Sequence, residues 1–217
     1  MIKIDDNKKV WIFSDPHFSH QNLCRGVTKW RTEDGKIPID QTRNFETLEI
    51  MNSTIVNNIN NVAEQDDILI CLGDWSFGGI EQIFEFYQRL VCKNIYLIFG
   101  NHDHHIESNR QNSRDLFLST SHYKVIKYCN RTFNLMHYPI SSWDGLNKGH
   151  IHLHGHVHLP NHLKFGKGKK MDVGMDGHPE FRPYNLKTEI IPLMDAREIK
   201  SDLLFDHHTD EIKNIVG

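Results

Sequence analysis

Three short apolar runs, residues 10–14 (VWIFS), 67–74 (DILICLGD) and 94–103 (NIYLIFGNHD), each break off into a polar cluster. Between them lie two segments with helical spacing. Residues 46–60 place Leu48, Met51, Ile55 and Ile59 on one face, and residues 80–91 read as a second helix. Strand, helix, strand, helix, strand predicts a parallel sheet with covering helices, because parallel neighbours require a crossover. The second half adds strand-like segments at 123–129, 132–139, 150–158, 171–176 and 187–193. A weaker helix is expected at 108–118 and another after Asp195, with long loops at 29–40 and 164–170. The fold class expected is α/β: two packed mixed β-sheets flanked by helices.

The chain of 217 residues suits one domain spanning 1–217, since no linker or repeat divides it. A net charge of −3 gives no whole-domain basic excess of the kind that marks nucleic-acid binders. Cys24, Cys71, Cys92 and Cys129 form no C-x-x-C pair and read as free thiols of a reducing compartment. The N-terminal residues carry no signal-like apolar stretch, and no run approaches the ~18 apolar residues of a membrane span. The expected location is the cytoplasm, with no membrane partner.

Polar residues collect just past the carboxyl ends of the apolar runs, the edge where open α/β sheets bind ligands. Asp15 and His17 follow the first run, Asp74 the second, and Asn101, His102 and Asp103 the third. His137 closes the NLMHYP segment, and His156 and His158 close LHGHVH. Each of these alone reads as an ordinary turn or a half-exposed strand. Together, five segments aim carboxylates, imidazoles and one amide oxygen at one rim, a mixed N/O ligand set suited to Mn, Fe, Zn or Ni. In extended backbone an i, i+2 pair points both side chains one way, so Asp15 with His17 and His156 with His158 can each chelate from one strand end.

The ordered motifs SDPHFSH, LGDW, GNHD, HYP, HGHVH and DVGMD resemble those of the calcineurin-like metallophosphoesterase superfamily. The finer pattern is similar to a branch of small single-domain phosphohydrolases from bacteria and phages. The resemblance implies two divalent transition-metal ions, with manganese favoured. Asp15, His17, Asp74 and His158 would hold the first. Asp74, Asn101, His137 and His156 would hold the second, with Asp74 bridging. His102 would be the leaving-group acid and Asp103 its orienting partner. Ser19 stands where that branch has Gly. The WSFGG that follows Asp74 replaces the pattern of the protein Ser/Thr phosphatases, which argues against that activity.

The implied activity is hydrolysis of a phosphodiester of a nucleotide or related small molecule, by attack of a hydroxide held between the ions. The alternative is a nuclease or RNA-end phosphoesterase acting on nucleic acid. A phosphomonoesterase and a non-catalytic interaction module rank below both. His20 and Arg25 are candidate substrate contacts, and the lysines of 164–170 could draw an anion. Arg31, Arg43, His150, His152, His154 and Trp143 could also line the site. Asp172 and Asp176 could support the metal histidines from behind. Oligomeric state is left open.

Overall fold

The structure is a computed structural model, and it describes residues 1–202. His207 and His208, and most of the tail expected to be helical after Asp195, lie outside the described residues. Ten strands and four α-helices run along the described chain. In order they are β1 (Ile2–Lys3), β2 (Val10–Phe13), α1 (Leu48–Asn60), β3 (Ile68–Cys71), α2 (Ile80–Arg89), β4 (Ile95–Ile98), α3 (His104–Glu107) and β5 (Ser119–Ser121). There follow β6 (Tyr123–Tyr128), β7 (Arg131–Met136), β8 (Ile151–His154), β9 (Lys170–Asp172), β10 (Tyr184–Asn185) and α4 (Ile191–Asp195).

Two five-stranded sheets result, ordered β10-β2-β3-β4-β5 and β1-β6-β7-β8-β9. The first is parallel from β2 to β5 with β10 antiparallel at its edge. The second combines an antiparallel β6–β7 hairpin with parallel pairings to β1, β8 and β9. Both sheets are therefore mixed, as expected.

Period-two alternation sorts the strand residues between two apolar layers. Phe13, Leu69, Cys71 and Leu97 pack with Met51, Ile55 and Ile59 of α1 and Ile83 and Phe86 of α2. Ile12, Ile70, Leu72 and Ile98 turn the other way and meet Phe133, Leu135, Ile151 and Leu153 of the second sheet. The sheets thus share one core, and the helices cover the outer face of the first. Thr47 caps α1 by accepting from the Ile50 N–H at 3.2 Å, a contact worth about 1 kcal/mol.

Residues 187–193, expected as a strand, are helical. A wide π-type turn over Leu186–Ile190 runs into α4. The Asn185 side chain accepts from Lys187 and Thr188 N–H, and Pro192 sits in the first turn of α4. Both are helix-start signals that outweigh the apolar run itself.

Candidate metal centre

Loops at the carboxyl ends of β2, β3, β4, β7 and β8 meet at the seam between the sheets. The expected extended geometry of Asp15/His17 and His156/His158 is not what brings these pairs together. Both members of each pair have left-handed backbone, with φ of 56° and 48° for the first and 73° and 47° for the second. Asp74 is left-handed as well, at φ 55°. Such conformations cost roughly 1–3 kcal/mol each and persist only where surrounding contacts enforce them. Here the enforcing contacts are visible. Phe18, between the loop's polar residues, is fully buried and stacks on Phe86 of α2 at 4.8 Å. A Cβ on Gly155 would lie 2.3 Å from Asp15 Oδ2, so only glycine lets the His156 loop approach the Asp15 loop.

The ligating atoms converge. His17 Nε2 lies 3.1 Å from His158 Nε2, 3.4 Å from Asp74 Oδ2 and 3.9 Å from Asp15 Oδ1. His158 Nε2 is 3.7 Å from Asp15 Oδ1. On the other side, Asn101 Oδ1 is 3.1 Å from His137 Nε2 and 3.0 Å from His156 Nδ1. Asp74 Oδ2 is 3.6 Å from His137 Nε2, so one carboxylate oxygen faces both groups. Asp15 and His17 are buried, while Asn101 and His156 are exposed. The first group is mostly buried, with His158 reaching the surface, and the second opens to solvent through Asn101 and His156.

The chemistry of these atoms fits cations. His137 Nδ1 bonds the Leu72 carbonyl at 2.7 Å. That partner assigns the proton to Nδ1 and leaves a bare lone pair on Nε2, aimed at acceptor oxygens of Asn101 and Asp74. Asp15 Oδ1 is buried with no hydrogen-bond partner, while Oδ2 accepts from the His156 N–H at 2.9 Å. Lone pairs facing lone pairs at this range are stable only with positive charge between them.

The electrostatics agree. Burial pushes the Asp15 carboxyl up to about 6, against the pull of His158 and His137. Burial, then the neighbouring His158, holds His17 well below its usual value, so the ring is neutral and one nitrogen keeps a free lone pair. His158 is opposed by burial, yet Asp176 and Asp15 raise its affinity for a proton. A pocket that draws a proton this way also draws a metal ion in exchange for it.

A supporting layer fixes these ligands. Asp176 Oδ2 accepts from His158 Nδ1 at 2.7 Å and, with Oδ1, takes both arms of the Arg43 guanidinium at 2.8 Å. Arg43 also donates to the Asp15 and Pro16 carbonyls at 2.7 Å, tying the first loop to the last. Burial opposes the Asp176 charge, but Arg43 and His158 outweigh it and hold the carboxyl well below the ordinary range. Asp172 instead accepts from the Gly174 and Leu159 N–H groups and shapes a turn.

Several expectations change here. Arg25 was expected at the substrate, but its guanidinium is spent on Thr42, Asn44 and the Ile39 carbonyl within the 21–44 loop. Arg43 is the arginine that reaches the centre. Asp103 was expected to orient His102. Its Oδ1 instead accepts from Trp75 N–H, and its Oδ2 from Asp74 and Gly100 N–H, at 2.8–2.9 Å. His102 itself lies with Nε2 4.0 Å from Asp74 Oδ2, half-exposed at the rim. His20 does reach the centre, 5.2 Å from His17 and stacked on Phe77 at 4.0 Å.

His152 and His154 do not share a face with the ligands, because the left-handed turn at His156 ends the strand. They bond the Asn134 and Gly155 carbonyls inside the sheet. Trp143 is buried and donates to the His150 carbonyl. Lys164 and Lys169 donate to Asn161 and the Met194 carbonyl, and Lys170 pairs with Asp202. Asn52, inside α1, was missed. It accepts from the Ser19 N–H at 2.8 Å and donates to Ser19 Oγ at 3.0 Å, clamping the metal loop. The signal was a polar residue on the apolar face of a helix.

Comparison with known proteins gives these features a common origin. Residues 8–189 match the calcineurin-like phosphoesterase family. The chain belongs to the calcineurin-like phosphoesterases. An uncharacterised protein of Methanocaldococcus jannaschii is 32% identical over 152 residues, covering 67% of this chain and 70% of that one. The crystal structure of a protein of unknown function from Aquifex aeolicus superposes with a TM-score of 0.61 at 21% identity, over 86% of this chain and all of that one. That likeness carries the fold alone. Metal-dependent phosphoester hydrolysis is the chemistry of calcineurin-like phosphoesterases, and His and Asp groups able to hold a metal ion stand at this seam. Among the described residues no helix is long and apolar enough to cross a membrane.

Proposed function

We propose that this calcineurin-like phosphoesterase hydrolyses phosphodiesters of nucleotides or related small molecules in the cytoplasm, with two divalent ions, manganese favoured. Asp15, His17, Asp74 and His158 hold one ion, and Asp74, Asn101, His137 and His156 hold the other. Bound there, the ions would supply Lewis-acid charge to a phosphoryl group and to the attacking water. Asp176 and Arg43 keep the His158 lone pair on target. His102 stands at the open rim and gives its proton to the departing oxygen.

The observation that supports this reading is the position of His102. Its Nε2 sits 4.0 Å from the shared Asp74 oxygen and its side chain is 36% exposed, beside the ligand groups and open to solvent. An alkoxide leaving group needs such a proton, and general acid catalysis contributes roughly 10²–10⁴-fold. Four free cysteines, three of them buried, suit a reducing compartment.

The test is hydrolysis by Mn²⁺-loaded protein of bis-p-nitrophenyl phosphate, p-nitrophenyl phosphate, cyclic and linear dinucleotides, and RNA. Diesters are expected to turn over faster than the monoester. His102→Ala should lose roughly 10²-fold or more on a dinucleotide, and less on the nitrophenyl diester, whose leaving group needs little protonation. Faster monoester cleavage, or no cleavage of any of these, would sink the reading.

A further inference from the structure

The two halves of the metal centre are supported unequally. On the Asp15 side, burial or an outer partner holds each ligand. Asp15 is fully buried and His17 is 3% exposed. Asp15 Oδ2 accepts from the His156 N–H, and Arg43 grips the Asp15 and Pro16 carbonyls. His158 reaches the surface, yet its Nδ1 is fixed by Asp176, which is itself locked by Arg43. Outer partners of this kind set metal affinity by roughly 10–100-fold.

On the Asn101 side only His137 has such support, from the Leu72 carbonyl. Asn101 and His156 are both exposed. Among the described residues the Asn101 side chain meets only His137 and His156, and the His156 ring makes its one polar contact with Asn101. Those contacts lie within the ligand set, so no hydrogen bond from behind fixes either side chain.

What braces the His156 ring is Tyr138. The two rings meet edge-on at 4.8 Å and 68°, and Tyr138 meets His137 in the same way at 5.0 Å and 78°. His137 touches His156 directly at 5.1 Å, so the three rings support one another. Tyr138 is 39% exposed, but it follows the fully buried His137 in the chain and is anchored by it. Its hydroxyl makes no hydrogen bond among the described residues, so the ring and not the polar tip supplies the contact. An aromatic pair contributes modestly by itself. On a ligand with no other brace it decides how well the lone pair is held on target.

We propose that the ions enter in a fixed order: the Asp15, His17 and His158 side fills first, the Asn101, His137 and His156 side fills second and less tightly, and Tyr138 is the positioning residue that sets the affinity of the second step. This order rests on the two-ion reading above. A reaction that needs both ions would then respond to free divalent metal through the second step alone. Repulsion between neighbouring cations weakens any second ion, so unequal affinity by itself decides nothing. Which histidines respond first does decide it.

The experiment follows the histidine imidazole resonances of the full chain by ¹H–¹⁵N correlation NMR as chelator-buffered Zn²⁺ is raised. Zn²⁺ is diamagnetic and accepts imidazole and carboxylate ligands. His17 and His158 are expected to shift in a first step, and His137 and His156 in a second at roughly tenfold or more higher free Zn²⁺. Tyr138→Ala should leave the first step in place and move the second to about three- to tenfold higher Zn²⁺, the worth of an aromatic pair. Tyr138→Phe should restore it. His152 and His154, bonded inside the sheet, report in the same spectra that each variant is folded. His137 and His156 shifting first, or a second step unmoved by Tyr138→Ala, would overturn the proposal. So would Tyr138→Phe behaving like Tyr138→Ala. The two readings fail separately. All four imidazoles shifting together keeps the metal centre and rejects the order, and shifts at none of the four reject the centre itself.

Discussion

Asp103 sits under three backbone N–H groups and holds the ends of β3 and β4 together through Asp74, Trp75 and Gly100. Burial drives its carboxyl up to about 7, against the pull of those same N–H donors. Asp103→Asn keeps the size but turns one acceptor into a donor facing an N–H. Leaving a buried backbone donor unsatisfied costs about 1–3 kcal/mol. The expected result is a lower melting temperature, with kcat per metal-loaded molecule nearly unchanged. A fall in kcat at constant melting temperature would restore the orienting role suggested by its place beside His102. At this scale the sequence displayed residue types well: every candidate ligand was visible as a carboxylate, imidazole or amide at a strand end. Which arginine mattered was invisible, because Arg25 and Arg43 differ only in what the folded loop offers them.

The element that decides the geometry is the loop from Asp15 to His20, and α1 holds it. Ser19 is left-handed at φ 67° and is gripped from both sides by Asn52. Asn52→Leu removes both bonds and strands the Ser19 N–H, so it should cost about 1–3 kcal/mol in stability. It should also weaken Mn²⁺ binding, because Asp15 and His17 lose the turn that sets their direction. Calorimetric titration of Mn²⁺ checks this, and unchanged affinity would show that Phe18 and Arg43 fix the loop without Asn52. Ser19→Gly relieves the strained backbone while losing the Oγ contact, and should lie close to neutral. Strands and helices with clear periodicity were legible in the sequence because their packing is repetitive. The left-handed alternation of Asp15, His17 and Ser19 was not, since non-glycine residues take that conformation only when distant contacts force it. The segment 187–193 misled for another reason: its apolar run fits either period, and only Asn185 and Pro192 mark it as helical.

Across the whole molecule, each proposed metal site draws on both sheets. Asp15, His17, Asp74 and Asn101 follow strands of the first sheet, and His137, His156 and His158 follow strands of the second. Bound ions would therefore cross-link the two sheets, and metal should stabilise the fold as a ligand does, by about 2.7 kcal/mol at a hundredfold excess over Kd. The pH dependence has a definite sign. Folding raises the Asp15 carboxyl from 3.8 to about 6. A carboxyl raised in this way adds stability below its unfolded value and loses it as pH climbs through about 6. The metal-free protein thus bears an uncompensated buried carboxylate near neutrality, and a cation offsets it. His158, whose proton affinity is raised by Asp176 and Asp15, must also shed a proton to ligate, which again opposes binding in acid. The rise in melting temperature on adding excess Mn²⁺ should be small at about pH 5 and several degrees larger at about pH 7.5. His158→Ala should reduce that increment at the higher pH. An equal increment at both values would mean that Mn²⁺ binds without displacing protons from this seam, and the assigned ligands would then be wrong.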